Sequence, residues 1–181
     1  MKTHTYSNEA FSVYGFATKD ECESLIDRAE SAGFEAAPVQ TSEGPEVISS
    51  ARNNLRVSFK DKALALAFWE RATSQNFPNM GRWRPIGLNE QIRIYRYDKH
   101  HMFRRHNDGA FFRNEKEESR CTFMVYLNDD FEGGATTFDD FTVWPQRGMA
   151  VCFAHNLYHE GSIVTCGQKY VLRTDVMYGA K

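Results

Sequence analysis

Gln91-Ile-Arg-Ile-Tyr-Arg-Tyr97 is where the chain changes rhythm. Ile92 and Ile94 alternate with Arg93, Tyr95 and Tyr97, the period-two pattern of a strand with two unlike faces. Downstream, Cys121 to Asn128, Gly148 to His155 and Lys169 to Tyr178 are further runs of strand-forming residues with turn residues between them. Upstream the pattern is helical twice. Thr18-Lys-Asp-Glu21 reads as a capping box, after which Cys22, Leu25, Ile26 and Ala29 share one face and Gly33 fits the stop. From about Asp61 to Gln75, Leu64, Phe68, Trp69 and Ala72 recur at helical spacing. Between the two, Pro38 to Asn54 reads as a long loop, of the kind that serves as a lid or binding segment. Helices followed by short strands predict an antiparallel sandwich or barrel with helical support on one side.

At 181 residues and 20.9 kDa the chain has the size of one domain, with residues 1–90 as helices and loop and 91–179 as the β core. A 41% hydrophobic and 14% aromatic composition excludes a disordered or low-complexity chain. A net charge of −2 and a pI near 6.3 argue against nucleic acid as the main partner. No apolar run approaches a membrane span, and Met1 to Ala10 is polar with no signal-peptide core, so a cytoplasmic protein with no membrane role is expected. Cys22, Cys121, Cys152 and Cys166 are scattered without metal-clip spacing and read as reduced thiols. Oligomeric state has no signature in the sequence.

Of the six histidines, His106 stands out because Asp108 follows it at i+2. On a strand those positions project to one side, so an imidazole and a carboxylate would converge on one point. A second histidine from another strand would complete the two-histidine, one-carboxylate set of non-haem Fe(II) oxygenases, which leaves coordination positions open. Taken alone the motif is weak, since His106-Asn-Asp-Gly109 is also good turn chemistry.

Several further motifs follow in one order. They are Tyr97-x5-Phe103-x2-His106-x-Asp108, Tyr126-Leu127-Asn128, Gly133-Gly134-x-Thr136, Pro145-x2-Gly148, His159-Glu160-Gly161 and Val164-x2-Gly167-x-Lys169. Together they resemble the prolyl 4-hydroxylase-like group of Fe(II)/2-oxoglutarate dioxygenases, over about Gln91 to Tyr178. The resemblance implies a double-stranded β-helix (jelly-roll) core, mainly β with N-terminal helices. It implies that His106, Asp108 and His159 hold Fe(II), that Lys169 pairs with the distal carboxylate of 2-oxoglutarate, and that Tyr126 hydrogen-bonds the same carboxylate. Buried in a barrel, such a dicarboxylate needs a cation and directional donors. Thr122 and Met124 share the face of Tyr126 by alternation and should line the pocket, with Tyr97 a further donor. Arg173, four residues beyond Lys169, is the competing anchor; it grips the other end of the cosubstrate or pairs with an acid such as Asp175.

The implied reaction consumes 2-oxoglutarate and O2, releases succinate and CO2, and hydroxylates a C–H bond. Its substrate is a prolyl or other amino-acid residue of a peptide, or a small molecule. Two departures stand out: His100 and His101 occupy a position where relatives often carry glycine, and they read as loop residues. His155 and His159 have the i, i+4 spacing of a helical zinc motif without its glutamate, so His155 reads as a supporting residue. A catalytically silent jelly roll that binds metal or a partner is the alternative. Glu115 to Glu118 reads as a solvated loop, and Arg52 and Asn54 as polar loop residues open to substrate contact.

Overall fold

The computed structural model describes residues 1–180, so only Lys181 of the expected domain lies outside it. Its main element is a ten-stranded sheet in which every pairing is antiparallel. The neighbours run Lys2–Ser7, Ala10–Tyr14, Ala150–Ala154, Glu117–Tyr126, Lys169–Ala180, Gln91–Tyr97, Leu55–Lys60 and Glu35–Ala36. Phe112–Asn114 and Trp83–Leu88 pair at the sides of this path. A second sheet of four short strands runs Thr142–Val143, Thr136–Phe138, His159–Gly161 and Phe103–His106. The two layers form the antiparallel sandwich that the strand spacing implies, arranged as the jelly roll that the resemblance implies.

Alternation decides which residues fill which layer. On Glu117–Tyr126 and just beyond, Cys121, Phe123, Val125 and Leu127 point to the side covered by the helices, where they meet Ile92, Ile94 and Leu172. Met124 and Tyr126 point the other way, onto Phe138, Val143 and Phe153 between the sheets. A strand buried on both faces needs apolar residues at consecutive positions, which is why this segment reads as a continuous run.

The helices cover the outer face. Helix α1 spans Lys19–Ala32, and its capping box is complete: Glu21 N–H donates to Thr18 Oγ1 at 3.2 Å and Thr18 N–H to Glu21 Oε2 at 2.8 Å. Gly33, at φ +81°, ends it, its N–H reaching the Ala29 and Glu30 carbonyls. Helix α2 spans Lys62–Ala72 and starts at Asp61, whose carboxylate accepts from Leu64 N–H at 2.9 Å. Cys22, Leu25 and Ala29 of α1 and Ala65, Phe68 and Ala72 of α2 are buried against the sheet. Arg71 joins the helices by donating to both Glu21 oxygens, at 2.7 and 2.9 Å. That fork is the main reason the Glu21 carboxyl is held down at about 2.

Three parts differ from the sequence reading. The first fourteen residues form a hairpin, Lys2–Ser7 with Ala10–Tyr14, that extends the large sheet. Residues 38–54 are not all loop, because Val39–Thr41 and Gly44–Glu46 pair as a short hairpin. Glu115 to Glu118 is not all solvated loop: Glu115 and Lys116 turn the chain from Phe112–Asn114 into the strand Glu117–Tyr126. No described helix is long and apolar enough to cross a membrane, and the four cysteines are free.

Candidate metal and cosubstrate site

The second sheet places two histidines face to face. Phe103–His106 and His159–Gly161 are antiparallel neighbours with His106 opposite His159, their rings 4.4 Å apart. Asp108 follows two residues after His106, its backbone N–H fixed on the His155 carbonyl at 3.0 Å. Its Oδ1 lies 3.7 Å from His106 Nε2, and its Oδ2 3.8 Å from His159 Nε2. Among the described residues these three form a cluster whose donor atoms all lie within 4.8 Å of one another.

The backbone sets the tautomers. His106 Nδ1 faces the Arg104 carbonyl at 2.7 Å and His159 Nδ1 the Leu157 carbonyl at 3.0 Å. A carbonyl only accepts, so each Nδ1 carries the proton and each Nε2 keeps a lone pair directed at Asp108. His106 Nε2 is buried with no hydrogen-bond partner. Burial, with help from His159, pushes the His106 imidazole down to about 4, and burial also lowers His159. Two neutral imidazoles with free lone pairs and one carboxylate fit a divalent ion such as Fe(II), and the orphaned nitrogen is the observation that carries the fit.

Asp108 is ionised and oriented. Burial opposes its charge, but Arg173, the two histidines and Thr122 outweigh that and hold the carboxyl well below its usual range. Arg173 Nη2 is 2.9 Å from Oδ1, and Thr122 Oγ1 donates to Oδ2. Thr122 in turn accepts from His155 Nδ1 at 3.2 Å, and His155 Nε2 accepts from Ser119 Oγ at 3.0 Å. With His155 neutral, as its burial favours, the protons of that chain run one way, from Ser119 to Asp108. His155 lies in a turn outside any helix, so the helical zinc spacing is coincidental.

A cavity of about 50 Å³ sits beside the cluster, with Tyr97, Thr122, Met124, Thr136, Lys169 and Arg173 in its wall. Lys169 is 2% exposed, its Nζ 5.0 Å from the Tyr97 ring centre and 5.4 Å from that of Tyr126. It donates to the Gly134 carbonyl at 2.5 Å, and burial alone pushes its pKa down to about 7. The structure sets Arg173 apart from this lysine, against Asp108 and, at 3.6 Å, Asp175. Tyr126 stands behind the wall: its hydroxyl is 2.6 Å from Thr136 Oγ1, and it is Thr136 that faces the cavity. His100 and His101 lie outside both walls, His100 at φ +70° in a turn and His101 accepting from Asp98 N–H at 3.0 Å.

Arg52 belongs to the site more firmly than its loop context suggests. It is 5% exposed, lines the cavity and lies over the rings of Tyr95 and Phe103, at 4.4 and 4.2 Å. A lone Arg52-Asn53-Asn54 segment gives no periodicity, and in the sequence only its likeness to the amino-terminal part of the same family pointed to a role.

Comparison with known proteins agrees with this geometry. Residues 92–174 match the family model of the 2OG-Fe(II) oxygenase superfamily. The prolyl 4-hydroxylase subunit alpha-2 of Gallus gallus is 37% identical over 67 residues, which cover 36% of this chain and 12% of that one. The chain thus spans only about an eighth of the length of the curated relatives it matches. Two solved structures share the fold. A viral collagen prolyl hydroxylase from Paramecium Bursaria Chlorella virus-1, solved as its 2OG complex, aligns with a TM-score of 0.66 at 19% identity, covering 95% of this chain and 97% of that one. A Trichoplax adhaerens prolyl hydroxylase, solved with a hypoxia inducible factor peptide fragment, aligns at 0.68 and 14% identity, covering 96% and 84%. Residues 92–174, just under half of the chain, thus match the 2OG-Fe(II) oxygenase superfamily, and the stretch shared with the curated relatives resembles the prolyl 4-hydroxylases.

Proposed function

We propose that this protein is an Fe(II)/2-oxoglutarate-dependent hydroxylase acting on a prolyl or other amino-acid residue, or on a small metabolite, with release of succinate and CO2. The observation that carries the reading is the pair of backbone-locked histidines whose free Nε2 atoms face an ionised Asp108. In this reading His106, Asp108 and His159 hold the metal. When bound, the iron and 2-oxoglutarate together supply the oxidising power, drawn from O2, that attacks an unactivated C–H bond.

The chain's own residues do the rest. Arg173, Thr122 and His155 keep Asp108 charged and fixed in direction, so the ligand set is formed before the metal arrives. Lys169 supplies the cation for the distal carboxylate of the cosubstrate, with Thr136 as hydroxyl donor and Tyr126 orienting it. Lys169, bound to the Gly134 carbonyl, exchanges or shares that acceptor with the carboxylate as the dicarboxylate enters the cavity. Tyr97, Met124, Phe153 and Val171 shield that exchange from water.

The test is anaerobic addition of Fe(II) and then 2-oxoglutarate, monitoring the visible metal-to-ligand charge-transfer band. The band appears in the native protein and is lost in His106→Ala. Its absence from folded, iron-loaded protein would leave a jelly roll that binds metal or a partner without catalysis.

A further inference from the structure

Outside the metal cluster the cavity opens into a cleft of about 540 Å³ whose wall is crowded with arginines. Arg52, Arg56, Arg93, Arg104, Arg105 and Arg173 all line it, against Asp108 and Asp175 as its carboxylates. Six cations facing two acids, on a chain of net charge −2, mark the strongest local concentration of positive charge around the site.

Their partners sort these cations into two kinds. Arg173 and Arg93 are committed to Asp108 and Asp175, at 2.9 and 3.3 Å, and Arg105 to Asp139 through a fork at 2.7 and 3.0 Å. Arg56 has only the exposed Glu35 at 3.4 Å, and its buried Nε has no partner. Arg52 meets no carboxylate: its partners are the Asn54 amide oxygen, the Pro38 carbonyl, the Tyr95 and Tyr97 hydroxyls and the rings of Tyr95 and Phe103. The Arg104 side chain has no hydrogen bond or ion pair among the described residues.

Two of these three are held together by backbone. Arg52 forms an isolated bridge with Phe103, and Arg104 N–H donates to the Ala51 carbonyl at 2.9 Å, so the Arg52 segment is strapped beside the strand that carries His106. A desolvated guanidinium clamped between rings has already lost its freedom and hydration, so it offers its charge to an anion at little further cost. Phe103 and the 40%-exposed Phe111 add apolar surface along the same cleft.

Resting on the oxygenase reading, we propose that this cleft selects a carboxylate-bearing substrate. Its acid group is held by Arg52, Arg56 and Arg104, its apolar body lies along Phe103 and Phe111, and its reacting C–H faces His106, Asp108 and His159.

The test is calorimetric titration of the anaerobic protein saturated with Fe(II) and 2-oxoglutarate. The probes are blocked five-residue proline peptides with glutamate, glutamine or lysine on both sides of the proline, and N-acetylglutamate as a small acid. The glutamate peptide or N-acetylglutamate binds about tenfold or more tighter than the glutamine peptide, and the lysine peptide does not bind. The preference shrinks when salt rises from about 0.02 to 0.3 M. It falls below about twofold in the Arg56→Gln/Arg104→Gln double variant and is largely retained in Arg104→Lys, which keeps charge and fold. If only N-acetylglutamate shows the effect the substrate is a small acid; if only the peptide does, it is an acidic peptide. No acid preference in the peptides together with no binding of N-acetylglutamate, or a preference unchanged in the double variant, would overturn the proposal. The charge-transfer band is read in the same samples. A missing band with an intact acid preference removes the oxygenase reading and leaves the cleft; the converse removes the cleft alone.

Discussion

Lys169 sits between the rings of Tyr97 and Tyr126 with the Gly134 carbonyl as its hydrogen-bond acceptor. Its folded pKa of about 7 lies below the usual lysine value of 10.5, so over that interval the unfolded chain binds a proton that the folded chain does not. Stability then rises with pH through the interval, and the cost of the buried charge is full below about 7 and gone above about 10.5. Lys169→Met is expected to stabilise the protein by about 1–3 kcal/mol at pH 6, less at pH 9, while lowering 2-oxoglutarate affinity. Thermal melts at the two pH values check the sign, and a variant less stable than wild type at pH 6 would contradict it. Because a bound dicarboxylate restores the ammonium, 2-oxoglutarate binding above pH 7 should take up a proton, visible as a calorimetric enthalpy that changes with the buffer's ionisation heat. Arg173 should behave differently, since its partner is Asp108. Arg173→Ala should weaken Fe(II) binding by about 10–100-fold, whereas Lys169→Ala should weaken 2-oxoglutarate binding more than Arg173→Ala does. The reverse order in direct titrations would move the anchor to Arg173.

Gly148 opens the strand Ala150–Ala154 and exchanges hydrogen bonds with two other segments: Ala17 N–H donates to its carbonyl at 3.0 Å, and its own N–H donates to the Tyr126 carbonyl at 2.8 Å. At φ +73°, a Cβ here would stand 2.1 Å from the Ala17 carbonyl oxygen. Gly148→Ala should therefore cost about 2 kcal/mol or more, from left-handed strain plus displacement of the turn that leads into α1; denaturant melts within about 0.5 kcal/mol of wild type would refute this. Elements of this kind were legible in the sequence to the degree that burial imposed a period. Both helices, the complete cap at Thr18 and the strand runs from Gln91, Cys121 and Lys169 each have an apolar face with something packed on it. Lys2–Ser7 was invisible because it is an exposed edge strand, polar along both faces. The hairpin within residues 38–54 is too short for any period to register. His106 and Asp108 stood out by their i, i+2 spacing, and His159 through the resemblance carried by the motifs around it. Arg52 and His155 did not, because their places come from contacts with Phe103, Thr122 and Ser119, far away in sequence.

The site lies where the two sheets meet, and each sheet alone holds only part of it. His106 and His159 come from the four-stranded sheet, whereas Lys169, Arg173 and the Thr122 that grips Asp108 come from the large one. The large sheet has its own support, because both helices and most of the buried apolar side chains pack on its outer face. The small sheet has strands of two to four residues and rests mainly on Phe138, Val143 and Phe153. A ligand that touches both sheets stabilises whichever opening separates them. Metal binding should therefore act unevenly. With Mn(II), a divalent ion that does not turn over, at about 100 times its Kd, roughly 2.7 kcal/mol of protection is expected. It should appear in the amide exchange of Phe103–His106 and His159–Gly161, with far less change in Glu117–Tyr126. A chelator should return the exchange rates to their starting values. Equal protection of both sheets would mean that they open only as one unit, and no protection of the small sheet would remove the metal from His106, Asp108 and His159.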